Sequence, residues 1–190
     1  MGTSRPNFIV GIGGSAGALS AYMAFFDALA PGTGMAFVVV SHMLPDASSQ
    51  LAKILSSHSQ MPVLVAARAM PIRANHVYVS PPNVDLLIGS KCAFKLVSPR
   101  TRSNVIVDLF FTSLAAAVGP RAIGIVFSGS DGDGTDGCRQ IKAKGGTTFA
   151  QDASAEVRGM PRSAVAAGCI DFVLPPHAIP AVLERLAKTS

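Results

Sequence analysis

Short, unbroken apolar runs recur along this chain and alternate with segments of helical period. Ala36–Ser41 reads Ala-Phe-Val-Val-Val-Ser, and Arg121–Ser128 carries Ile123–Phe127. A strand solvated on one face alternates polar and apolar residues, so runs like these belong to strands covered on both faces. Asn7–Ile12 reads as the first such strand, followed by a glycine-rich turn at Gly13–Gly17. Ala18–Ala30 then has helical spacing, with Leu19, Met23, Phe26 and Leu29 on one stripe, and Pro31-Gly32 stops it. Further along, Ser48–His58, Val105–Val118, Gly137–Lys144, Pro161–Ala167 and Pro176–Leu186 read as helices. Pro62–Ala66, Val77–Ser80, Thr147–Gln151 and Asp171–Leu174 read as strands. Val84–Ile88 and Phe94–Val97 flank Gly89-Ser90-Lys91 as a hairpin. Strands alternating with helices predict an α/β fold: a doubly wound, mostly parallel sheet with helices on both faces and one antiparallel β-hairpin. The 190 residues suit a single domain.

Composition narrows the function classes. Hydrophobic residues make up 49% and charged residues 14%, the reverse of a disordered chain. No apolar run approaches the roughly 20 residues needed to span a bilayer. The opening residues hold no signal-peptide core. The expectation is a cytoplasmic protein with no direct membrane insertion. Cys92, Cys138 and Cys169 are widely spaced, with no metal-ligand or disulfide pattern. The net charge of +5 comes from 16 basic and 11 acidic residues, scattered apart from Arg100 and Arg102. With two Tyr, no Trp and no aromatic-basic interleaving, nucleic acid is not an expected partner. The basic excess reads equally as steering of an acidic protein partner or as solubilising charge.

In open α/β sheets, sites gather at the carboxyl ends of strands, and three predicted strands end on polar residues. Ser15 sits in Gly11–Ala18, flanked by small residues that would let a substrate backbone approach, and precedes a helix whose positive end favours developing negative charge. His42 follows Val38–Val40 and has the chemistry of a general base. Ser128-Gly-Ser-Asp-Gly-Asp-Gly, after Ile123–Phe127, offers aspartates that could orient an imidazole. Each element also has a plainer reading: a turn or phosphate loop for Ser15, a polar strand end for His42, turn residues for the aspartates. Gly11-x-Gly13-x-x-Ala16 loosely fits a dinucleotide fingerprint, but the second strand ends in Ser41-His42-Met43 and lacks the ribose-binding acid. Asp131–Asp136 fails as a calcium loop, with Asp136 and Lys142 where glycine and glutamate are required. His58, His76 and His177 show no ligand spacing. Asn75–Asn83, with its paired prolines, is expected to be a rigid loop lining the cleft.

From Phe8 to Ala187 the chain resembles the catalytic domain of CheB-type protein-glutamate methylesterases, particularly the form fused to CheR-type methyltransferases. The resemblance rests on Val10-Gly-Ile-Gly-Gly-Ser-Ala-Gly-Ala-Leu19, Gly34-Met-Ala-Phe-Val-Val-Val-Ser-His-Met43, Met61-Pro-Val63 and Asn75-His-Val-Tyr-Val-Ser-Pro-Pro-Asn83. It continues through Val107-Asp-Leu-Phe-Phe111, Arg121-Ala-Ile-Gly-Ile-Val126, Gln151-Asp152, Gly159-Met-Pro-Arg-Ser-Ala164 and Asp171-Phe-Val-Leu-Pro-Pro176. It implies hydrolysis of glutamyl methyl esters on the cytoplasmic helices of chemoreceptors, with deamidation of receptor glutamines in some members. Ser15 would be the nucleophile, His42 the base, Asp133 the orienting acid, and Ser130 the residue whose backbone N–H helps bind the oxyanion. The partner implied is the methylated receptor, with a fused or separate methyltransferase or receiver domain alongside; no metal or organic cofactor is implied. The departures are Asp131 in place of a family glycine, Ser41 for Gln, Ala16 for Thr and Ala18 for Gly. Asp131 thereby competes with Asp133 for the orienting role, and a degenerate, binding-only module is the alternative. Regulated members carry an N-terminal receiver domain with no counterpart in these residues, so an excised domain and an unswitched one are both open.

Overall fold

The computed structural model describes residues 5–42, 47–100 and 104–189, with backbone alone at 47–49 and 90. Met43 and Arg102 therefore lie outside the described residues. Seven strands form one sheet: β1 (Ile9–Gly14), β2 (Ala36–Ser41), β3 (Val63–Val65), β4 (His76–Val79), β7 (Ala122–Val126), β8 (Thr147–Gln151) and β9 (Phe172–Leu174). Their order is β3-β4-β2-β1-β7-β8-β9, and every pairing is parallel. β5 (Asp85–Ile88) and β6 (Phe94–Val97) form a separate antiparallel pair. Winding starts at β1, runs out to one edge, and returns through β7 to the other. The switch point therefore falls at the centre of the sheet, between β1 and β7.

Strand residues alternate between two cores, as the pleat requires. On one face Val10, Ile12, Phe37, Val39, Ile123 and Ile125 pack beneath α1 (Leu19–Ala28), α2 (Ala47–His58) and α6 (Ile179–Lys188). On the other, Ile9, Val38, Val40, Ala122 and Val126 meet α3 (Ile106–Val118), α4 (Thr135–Ala143), α5 (Gly159–Ala166) and the β5–β6 pair. The doubly wound architecture is thus as expected, with both faces covered. Among the described residues, no helix is long and apolar enough to cross a membrane. All three cysteines are buried and free.

Several local expectations are corrected. Gly13 and Gly14 belong to β1 and not to a turn, because ladder bonds to both neighbouring strands outweigh the intrinsic cost of glycine in a strand. The buried face of α1 is Ala21, Tyr22, Phe25 and Phe26, while Leu19 in its first turn is 44% exposed. Within Asn75–Asn83, His76–Val79 is β4 and only the flanking residues are loop, with His76 Nδ1 bonded to the Ala74 carbonyl. The last helix is preceded by a separate 3-10 turn at Pro176–Ala178. Both sheet edges are very short: β3 and β9 have three residues each, with Leu64, Val65, Phe172 and Val173 exposed.

Candidate active site

Register brings the predicted strand ends together. Gly14 of β1 pairs with Ser41 of β2, and Gly13 with Val126 of β7. The next residues, Ser15 and His42, therefore leave neighbouring strands side by side. The ladder continues past β1, with Phe127 N–H donating to the Gly13 carbonyl and Ser15 N–H to the Ser128 carbonyl, both at 2.8 Å. A turn closed by Ala18 N–H on the Ser15 carbonyl, 3.2 Å, separates Ser15 from α1. Gly17 in this turn has φ +72°, the left-handed region that glycine tolerates best. Ser15 and His42 line a cleft of about 250 Å³ with Leu19, Tyr22, Ser41, Gln50, Leu51 and Ile54. A cleft of about 350 Å³ near the β9 edge is lined by Arg158, Arg162, Val165 and Val173 among others, and holds neither Ser15 nor His42.

The glycines around Ser15 do not open room for a substrate. A Cβ on Gly13 would lie 2.4 Å from Val107 Cγ1, and one on Gly14 would lie 2.4 Å from the Tyr22 hydroxyl. They are packing positions that let α3 and α1 press onto the end of β1. This also removes the dinucleotide reading, since the second glycine of that fingerprint must leave room for a pyrophosphate. The Tyr22 hydroxyl lies near Ser41 without closing a well-aligned hydrogen bond. Burial raises the phenol above its ordinary range, more than Ser41 lowers it.

His42, 18% exposed in its side chain, is joined through Nε2 to Oδ2 of the fully buried Asp133 at 2.8 Å. That bond favours the tautomer with the proton on Nε2, so Nδ1 keeps its lone pair for another partner. Ser15 and His42 are not hydrogen-bonded to each other among the described residues; they share the wall of the same cleft. Asp133 is held from behind. Its Oδ2 accepts from Val107 N–H at 3.0 Å and its Oδ1 from Asp108 N–H at 2.9 Å, both in the first turn of α3. It thus satisfies two of the N–H groups that a helix start leaves unpaired.

The other aspartates turn elsewhere. Asp131 Oδ1 accepts the Asp133 N–H at 3.1 Å, an Asx turn closed on its own loop. Asp136 pairs with Arg139 on α4. The three carboxylates do not converge on one point. Sequence reasoning also missed the struts of the site. Ser128 is fully buried; its Oγ lies 2.7 Å from the Ala16 carbonyl and accepts the Val157 N–H at 2.9 Å, while its own N–H donates to Gln151 Oε1 at 3.0 Å. Gly159 sits so close to the Ser130 carbonyl that a Cβ there would approach it to 2.3 Å. The only sequence signal for these was a polar residue and a glycine inside apolar surroundings.

Asp108, not singled out by the sequence, lies directly behind Asp133. Its Oδ1 accepts the Gly137 N–H at 2.7 Å. Burial pushes its carboxyl up to about 6; the Gly137 N–H pulls it down, the charges of Asp133 and Asp136 push it up, and the Gly134 N–H pulls it down. The ionised form is therefore less favourable folded than unfolded. The stability this group contributes is complete below its ordinary value of 3.8 and is lost as pH rises through about 6. Urea titrations from about pH 4 to about pH 7 should show Asp108→Asn gaining stability relative to wild type as pH rises. A difference independent of pH would contradict this.

Comparison with known proteins agrees with the fold. A curated relative from Hydrogenovibrio crunogenus, "Protein-glutamate methylesterase/protein-glutamine glutaminase", is 32% identical over 97% of this chain and 51% of its own length. A second from Leptospira interrogans, "Putative protein-glutamate methylesterase/protein-glutamine glutaminase", is 31% identical over 94% of both chains. The chain spans about half the length of the first of these and of a similar relative from Anaeromyxobacter dehalogenans. The crystal structure of the Thermotoga maritima CheB methylesterase catalytic domain superposes with a TM-score of 0.86 at 29% identity, covering 94% of this chain and 98% of that one. The family model described as CheB methylesterase matches residues 10–183, and the chain belongs to the CheB methylesterase family.

Proposed function

We propose that this chain is a serine hydrolase that demethylates glutamyl methyl esters on the cytoplasmic helices of chemoreceptors, and deamidates glutamines at such positions. The observation that carries the reading is the buried Asp133 carboxylate bonded to His42 Nε2 at 2.8 Å, at a strand end beside the Ser15 turn. Ser15 Oγ attacks the ester carbonyl as His42 Nδ1 takes its proton. The tetrahedral oxyanion is held by the backbone N–H groups of Ala16 and Ser130, neither of which donates a hydrogen bond within the described chain. Donors of this kind contribute about 3 kcal/mol each. Collapse expels methanol, protonated by the imidazolium. Water, deprotonated by His42, then hydrolyses the acyl-enzyme and restores Ser15 and the receptor glutamate. For a glutamine the leaving group is ammonia. Asp133 holds the imidazole in its tautomer and stabilises the charged form.

Leu19, Leu51 and Ile54 give the cleft an apolar wall, suited to the flank of an amphipathic helix. The reaction belongs in the cytoplasm, with the receptor as partner and a fused or separate methyltransferase or receiver domain alongside. The decisive measurement is methanol release from a methylated receptor fragment. Release at a rate well above the uncatalysed one is expected. No release, with the fragment bound, would leave a binding-only module.

A further inference from the structure

Two helix starts exchange carboxylates. Asp133, in the loop before α4, caps the first turn of α3 through Val107 N–H and Asp108 N–H. Asp108, in that same first turn of α3, caps the first turn of α4 through Gly137 N–H at 2.7 Å. Each helix therefore supplies the acceptor that the other lacks, and the two caps share one residue. The backbones also touch at this crossing: a Cβ on Gly137 would lie 2.5 Å from Phe111 Cβ and 3.2 Å from the Asp108 Cα. Movement of α4 would drag the loop that carries Asp133, and movement of α3 would withdraw its two N–H donors. Val107 ties the assembly to the sheet, packed against Gly13 and Gly134.

We propose that Asp108 is a positioning residue for the esterase, whose carboxylate clamps α4 to α3 through Gly137 N–H and so keeps Asp133 seated on His42 Nε2. The inference rests on Asp133 being the orienting acid. What the reciprocal cap requires at this point is an acceptor oxygen for Gly137 N–H, not a charge.

The test compares Asp108→Ala, Asp108→Asn and Asp108→Glu, with Asp136→Ala as a control for a surface acid on the same turn of α4. Methanol release from a methylated receptor fragment gives kcat and KM. The low-field proton NMR resonance of the imidazole N–H bonded to Asp133 reports the contact directly. Asp108→Ala should lower kcat roughly ten- to hundredfold, the scale of an ångström-level misplacement, with KM changed less than about twofold and the resonance broadened or shifted. Asp108→Asn keeps an oxygen for Gly137 N–H and should recover kcat to within about threefold of wild type. Asp108→Glu keeps the charge but displaces the carboxylate by a methylene, and should lose kcat while remaining folded, which covers the case in which the alanine variant does not fold. Asp136→Ala should match wild type. Wild-type kcat and resonance in Asp108→Ala or in Asp108→Glu would overturn the proposal, as would an asparagine variant as impaired as the alanine one. If wild type releases no methanol, the esterase reading fails by itself, and the resonance still decides whether Asp108 governs the His42–Asp133 contact.

Discussion

Replacing Ser15 by alanine should reduce methanol release to background and abolish labelling by a fluorophosphonate probe, with the thermal midpoint nearly unchanged. The fold uses the backbone of Ser15 and not its hydroxyl: the N–H donates to the Ser128 carbonyl and the carbonyl accepts from Ala18. Both bonds survive in alanine. The side chain faces the cleft beside His42, so its loss opens no core cavity. Removing a serine that works together with its base costs about 10⁶-fold in kcat, leaving only what binding and oxyanion donors supply. Ser15→Ala would thus keep only that residual, roughly 10³- to 10⁴-fold above the uncatalysed reaction, too slow to register in the methanol assay. Full activity or retained labelling in this variant would move the nucleophile elsewhere.

Asp133→Asn should be the next most damaging change, about 10⁴-fold in kcat on the scale of other triads, and Asp131→Asn should alter rate by no more than roughly twofold. The contrast follows from what each carboxylate accepts. Three donors converge on Asp133: His42 Nε2–H, Val107 N–H and Asp108 N–H. A carboxamide has one acceptor oxygen, so its NH₂ must face one of those donors or force the imidazole into the opposite tautomer. Because the site is buried, an unsatisfied donor there also costs stability, about 1–3 kcal/mol. Among the described residues Asp131 accepts only the Asp133 N–H, a role that an asparagine oxygen takes over. Steady-state kinetics and melting curves of both variants check the ranking, and the reverse order would assign the orienting role to Asp131.

The sequence made the architecture legible because buried parallel strands announce themselves as apolar runs, as in Val38–Val40 and Ile123–Phe127. It also located the three strand ends, because polar residues following such runs stand out. Residue-level reasoning could not separate Asp131 from Asp133: both sit among glycines, and only the fold shows which one reaches the ring and which closes a local turn. It misjudged Gly13 and Gly14, since a glycine's local freedom suggests a turn whereas its true service here is to admit Val107 and Tyr22. Leu19 was misplaced because helical period marks a stripe without saying where the helix meets the cleft. The contacts of Asp108 and Ser128 could not be read from the sequence. Their work is done through backbone groups of distant segments, at 2.7 Å to Gly137 and to Ala16, and no spacing along the chain encodes that.

The brevity of β3 and β9 bears on how the protein behaves when crowded. A parallel sheet of this size ends in two rows of unpaired amides, a standing template for cross-molecular growth into fibres or precipitates. With three residues per rim, an intruding strand could form only a couple of ladder bonds before the backbone turns away. The exposed Phe172 and Val173 would tempt such an intruder, but the rim is too brief to hold it. Lengthening either rim by even two alternating apolar residues would give an intruding strand a longer template to pair with.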